Sequence, residues 1–157
     1  MKKSRLTRKT ILTGILLLLI VFQFFRIDKT NPPVDPAQDF IMLSHPPADL
    51  AVILKESCYD CHGNTTTYPW YTNIAPVSWW IKHHINDGRK HLNFSTWGAY
   101  SERKADHKLE ECVEMVQEGE MPMSSYTLLH PKGKLSKEQQ DQLAAWFNSL
   151  RTHASDK

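Results

Sequence analysis

Two cysteines three positions apart, followed at once by a histidine, constrain this chain more than any other feature: Cys58-Tyr59-Asp60-Cys61-His62. On one helical turn the two sulfurs share a face and can reach one edge of a flat macrocycle, while the adjacent imidazole turns toward its centre. C-x-x-C-H is the attachment signature of c-type haem, which makes Cys58 and Cys61 the thioether positions and His62 the proximal iron ligand. Tyr59 and Asp60 read as filling the turn. Competing chemistries fit less well. A zinc site needs four ligands, and the third cysteine, Cys112, stands alone. A thioredoxin-like pair needs a βαβ setting, and a disulfide between such close helical cysteines would be strained.

The N-terminus sets the compartment. Residues 1–27 hold Lys2, Lys3, Arg5, Arg8, Lys9 and Arg26 and no acid, so the net charge of +2 becomes −4 for the remainder. A nucleic-acid-binding protein carries a basic stripe on its folded part; none is present here, and nucleic acid is not an expected partner. The apolar run Ile11–Ile27 (ILTGILLLLIVFQFFRI) is near the lower limit of about 17–25 residues for a spanning helix and longer than a usual signal-peptide core. No small-x-small cleavage site and no lipobox cysteine follows it. Residues 1–27 therefore read as an uncleaved, single-pass signal anchor in the cytoplasmic membrane. The N-terminus is then cytoplasmic and the folded part periplasmic.

Residues 28–47 hold Pro32, Pro33, Pro36, Pro46 and Pro47 and read as an extended linker. A domain over 48–151 and a tail over 152–157 follow. Leu50, Ile53, Leu54, Cys58 and Cys61 recur at helical spacing and predict a helix over 48–62, ended by Gly63. Residues 64–76 read as a loop. A short helix over 77–87 is closed by Gly88, and residues 89–102 read as irregular. An amphipathic helix over 103–118 is capped by Gly119. The last helix begins at Ser136 with Gln139 at the capping-box position and buries Leu143, Phe147 and Leu150. No strand pattern appears, and the class is all-α.

The helix running into SCYDCHG, the Gly119-to-Pro122 segment and the final helix LSKEQQDQLAAWFNSL resemble class I c-type cytochromes over residues 48–150. That resemblance implies one covalent haem c, crossing first and last helices, and a methionine as sixth ligand. The run YPWYTNIAPVSWWIKHHINDGRKHLNFSTW more closely resembles a family of small bacterial haem-binding domains, and it departs from an ordinary class I cytochrome on the distal side.

Met121 is the first candidate for the distal ligand, because Gly119 ends a helix before it and Pro122 forces it out of helical geometry. Its separation from His62 is similar to that in class I cytochromes. Met123 and His84 are the alternatives; His83 and His91 are weaker. Trp70, Trp79, Trp80 and Trp97, with Tyr68, Tyr71 and Phe94, are candidates to wall the haem, and Arg89 and Lys90 to neutralise its propionates. Cys112 reads as a small buried hydrophobe, and His107, His130 and His153 as surface residues. The expected function is electron transfer between membrane or periplasmic redox proteins by a membrane-anchored monohaem cytochrome. The alternative is a haem-based sensor or small-ligand-binding module with an open or displaceable sixth site. An enzyme is not expected: di-haem peroxidases need two attachment motifs, and this chain has one.

Overall fold

The computed structural model describes residues 7–152; His153 and the rest of the expected tail lie outside them. Among the described residues there are eight α-helices and no strand. They are α1 (Arg8–Phe22), α2 (Phe40–Ser44), α3 (Ala48–Ser57), α4 (Tyr59–His62), α5 (Val77–His91), α6 (Glu102–Gln117), α7 (Ser124–Thr127) and α8 (Lys137–Ser149). Short 3-10 segments occupy Pro36–Gln38, Trp70–Asn73, Phe94–Ala99 (kinked at Thr96) and Pro131–Gly133.

The core forms between α6 and α8, which lie along one another, with α3 closing it. Leu109, Cys112 and Val116 of α6 meet Leu143, Ala144 and Phe147 of α8, and Leu50, Ile53 and Leu54 of α3 complete the cluster. Each set recurs at three- or four-residue steps, so each helix buries one stripe. Ser136 caps α8 through the capping box with Gln139, as the spacing predicts. Arg151, just past α8, bonds Glu110 at 2.9 Å and lies 3.6 Å from Asp106, which fastens the end of α8 to α6. The chief partner of α8 is thus α6, not the first helix of the domain.

Three segments differ from their sequence reading. The helix expected over 48–62 breaks at Cys58 (φ −123°, ψ −43°), so the attachment motif occupies its own turn, α4. Helix α5 runs through Gly88 to His91 instead of ending at Asp87. The apolar run Ile11–Ile27 is helical only to Phe22, and α1 with its 15 residues from Arg8 is about 22 Å long at 1.5 Å per residue. No helix among the described residues is long and apolar enough to cross a membrane.

The expected linker is packed. Phe40 is 1% exposed and sits among Phe94, Trp97 and Trp146 at ring separations of 5.0, 4.6 and 5.6 Å. Upstream, Asn31 donates to the Thr66 carbonyl at 2.9 Å, and the Pro33 carbonyl accepts from Asn64 at 3.0 Å. The prolines extend this stretch, and the extended chain then lies against the domain. Phe40→Ala is expected to cost about 3–5 kcal/mol, the usual range for a buried aromatic, in urea unfolding; a free linker would lose nothing.

Candidate haem site

Helix α4 is a single tight turn. The Cys58 carbonyl accepts from the Cys61 and His62 amides at 3.2 and 2.8 Å. Tyr59 and Asp60 do more than fill it. Tyr59 is buried and stacks on Phe94 at 5.4 Å, and its hydroxyl donates to Asp39 at 3.0 Å. Asp60 accepts from Tyr126 Oη at 2.9 Å and from the Thr67 amide at 2.9 Å. The two residues between the cysteines therefore pin the turn on opposite sides, to the N-terminal segment and to α7.

His62 is oriented by α5. Its Nδ1 lies 3.1 Å from the Gly88 carbonyl and 3.1 Å from the Leu92 carbonyl. Two acceptors require a proton on Nδ1, which leaves the Nε2 lone pair free for a metal. Burial holds the imidazole below its usual pKa, against the pull of the two carbonyls, so the ring is neutral at pH 7. Gly88 also explains why α5 approaches so closely: a Cβ there would stand 2.9 Å from the Cys61 carbonyl oxygen. Arg89 locks the same contact, donating to Gly63 O, Asn31 Oδ1 and Thr66 Oγ1, each at 2.8 Å.

A cavity of about 550 Å³ opens in front of His62, inside the usual range for ligand sites. Cys58, His62, Gly88, Leu92 and Phe94 line it together with Cys112, Met115, Val116, Met121 and Phe147, and Asp87, Glu111 and Glu114 add carboxylates to the lining. A smaller cavity of about 80 Å³ adjoins it, walled by Cys61, Tyr68, Tyr71, Trp80, Tyr126 and His130. His84 and Met123 line both. All three cysteines are free thiols. Burial pushes Cys58 up to about 12; burial, then the Asp60 carboxylate, pushes Cys61 up to about 11. Burial also raises Cys112.

These residues fit a haem. The walls are mostly apolar, Cys58 lines the larger cavity and Cys61 the smaller, and His62, clamped by two carbonyls, offers its Nε2. Thioethers from three methionines, Met115, Met121 and Met123, line the larger cavity. Among the described residues no three His, Cys, Asp or Glu side chains cluster to hold a metal ion, which leaves zinc without a ligand set.

The aromatic wall differs from its expectation. Trp80 lines the smaller cavity, with its ring 4.2 Å from His84, and Phe94, Tyr68 and Tyr71 line one cavity or the other. Trp70 is 74% exposed and lines neither. Trp79 faces α1, with its ring 5.0 Å from Phe22. Trp97 belongs to the core beside Phe40. The four tryptophans come from three elements, and Trp79 and Trp80, adjacent on α5, point about 100° apart around the helix, so they cannot face one cavity together. Arg89 is committed to the three oxygens above. His130, read as a surface residue, lines the smaller cavity, stacks on Tyr126 at 4.1 Å and sits 3.1 Å from Tyr71 Oη. His107 is exposed and pairs with Glu111 at 3.1 Å. Gly88→Ala is expected to cost about 1–3 kcal/mol through overpacking in urea unfolding, whereas Gly14→Ala, inside α1 with nothing within 4 Å of the added carbon, carries no such penalty and does not lower the midpoint.

One family model, described as a haem-binding domain, matches residues 17–149. Neither the curated proteins nor the solved structures give a match. The matched span covers most of the chain, from within α1 to the end of α8, and includes the segment that packs before the attachment motif. The chain belongs to the haem-binding domain family.

Proposed function

We propose that this protein is a monohaem c-type cytochrome that carries electrons at a membrane. Haem c would be held by thioethers to Cys58 and Cys61 and by His62 Nε2 on the iron. The observation that carries this reading is the double carbonyl clamp on His62 Nδ1, in a turn that also presents both cysteines. A histidine whose outer nitrogen is fixed is oriented and made more basic as a ligand.

The sixth ligand is Met121. His84 stands on α5, the helix that braces His62; its Nδ1 is 2.9 Å from the Trp80 carbonyl, which leaves its Nε2 available and keeps it as an alternative. Met121 comes from the segment after α6 and lines the same cavity as His62. Its amide donates back to the Met115 carbonyl at 3.1 Å. Met123, two residues on, lines both cavities and is the alternative if the segment shifts. Bound haem supplies a one-electron couple, and Met/His ligation raises its potential relative to two histidines. The chain's own part would be to hold the ring in this mostly apolar cavity and to orient His62 toward it.

Helix α1 is shorter than the roughly 30 Å hydrocarbon core of a bilayer, and the anchoring reading rests on its exposed apolar surface. No side chain of α1 is buried, and Leu12, Leu16 and Leu17 are 56%, 59% and 58% exposed. Such a surface is stable in lipid and costly in water. With the cations ahead of α1 held in the cytoplasm, the haem domain faces the periplasm, where membrane and periplasmic redox proteins are its partners.

Near-infrared spectra of the oxidised protein test the ligand. The wild type is expected to show a methionine–iron charge-transfer band that Met121→Ala loses, with a lower reduction potential. A band retained in that variant and lost in Met123→Ala moves the ligand two residues. A high-spin spectrum that responds to carbon monoxide in the reduced wild type contradicts the carrier and favours ligand binding.

A further inference from the structure

The end of α1 is fastened to the domain at several points. The Gln23 side-chain amide bonds both backbone groups of Ala75: Nε2 donates to the carbonyl at 2.9 Å, and Oε1 accepts from the amide at 3.1 Å. Gln23 Nε2 also donates to Leu19 O at 2.8 Å, inside α1. Trp79 donates from Nε1 to the Phe25 carbonyl at 2.9 Å and packs its ring against Phe22. Arg26 and Lys29 reach Asn73 at 3.3 and 2.6 Å. The stretch 73–79 is therefore fixed beside the point where α1 stops.

Around that point large apolar side chains face outward. Phe24 and Phe25 are 81% and 62% exposed, Trp70 is 74%, and Ile74 and Val77 are 43% each. They continue the exposed apolar surface of α1 onto the domain itself. Aromatic side chains flanked by Arg26 and Lys29 match the composition of a membrane interface, where rings sit at headgroup level and cations meet phosphate.

We propose that the face carrying Phe24, Phe25, Trp70, Ile74 and Val77 lies on a lipid bilayer, so that the domain sits at one height and orientation against the membrane. The inference rests on α1 being the membrane anchor. A flexible tether would let the haem site sweep through all orientations; the Gln23–Ala75 clamp and the docked aromatic face remove that freedom. Trp80, one turn past Val77 on α5, walls the smaller cavity beside Cys61. The docked face thus holds that rim next to the membrane surface, where a partner diffusing within the bilayer can reach it.

The test uses the full-length holoprotein in nanodiscs of phosphatidylcholine and phosphatidylglycerol. An environment-sensitive fluorophore is placed on Ile74→Cys or, as a control, on Asn148→Cys, an exposed position on α8. In the holoprotein Cys58 and Cys61 would be bonded to haem, and Cys112 is buried, so the new thiol is the one left to react. Acyl-chain-brominated lipid is expected to reduce the Ile74 label's emission about twofold and leave the Asn148 label unchanged, as fits a position at the interface. Gln23→Ala should weaken that quenching while the protein stays in the disc. If the protein remains disc-bound but the Ile74 label behaves like the Asn148 label, the docked face is refuted and the anchor stands. If the protein does not enter discs at all, both fail.

Discussion

The contact between His62 Nδ1 and the carbonyls of Gly88 and Leu92 organises the site. For those oxygens to reach the ring, α5 must lie against the backbone of α4, which only a glycine at 88 permits. The Gly88 carbonyl is one turn before Leu92, so the two acceptors come from the last turn of α5 and its end. Each such hydrogen bond adds about 1 kcal/mol to stability, yet partners of this kind change metal affinity by about 10–100-fold when removed. Their weight lies in fixing one tautomer and one ring orientation.

The N-terminal segment takes part in the same arrangement. Asn31 bonds Arg89 and the Thr66 backbone, Pro33 receives Asn64, and Asp39 receives Tyr59. Each bond ends on the attachment turn, on the loop after it, or on the helix that braces it. Phe40 then plugs the aromatic core. A chain lacking residues 28–40 would keep the C-x-x-C-H motif but lose much of what holds it in place.

Much of this was legible in the sequence where the signal is local. The capping box at Ser136 and Gln139, the buried stripe of α6 and the C-x-x-C-H turn are each written within one or two turns of chain. The sequence also named Met121, Met123 and His84, and all three line the cavity before His62. What escaped depends on distant partners. Gly88 after a polar helix reads the same whether it stops the helix or admits a neighbour, and only the Cys61 backbone decides between them. Phe40 has no periodic companions between its prolines. Trp79 meets Phe25 across more than fifty residues, and nothing near either residue announces it. Tyr59 and Asp60 read as spacers because their partners, Asp39 and Tyr126, lie on other elements.

The central claim is that this turn carries one covalent haem. The direct measurement is the intact mass of the protein, produced with c-type cytochrome maturation, after extraction with acidified butanone. The account predicts a polypeptide heavier by one haem that survives extraction, and an unmodified mass for the Cys58→Ser, Cys61→Ser double variant. A wild-type mass equal to that of the polypeptide alone would contradict it.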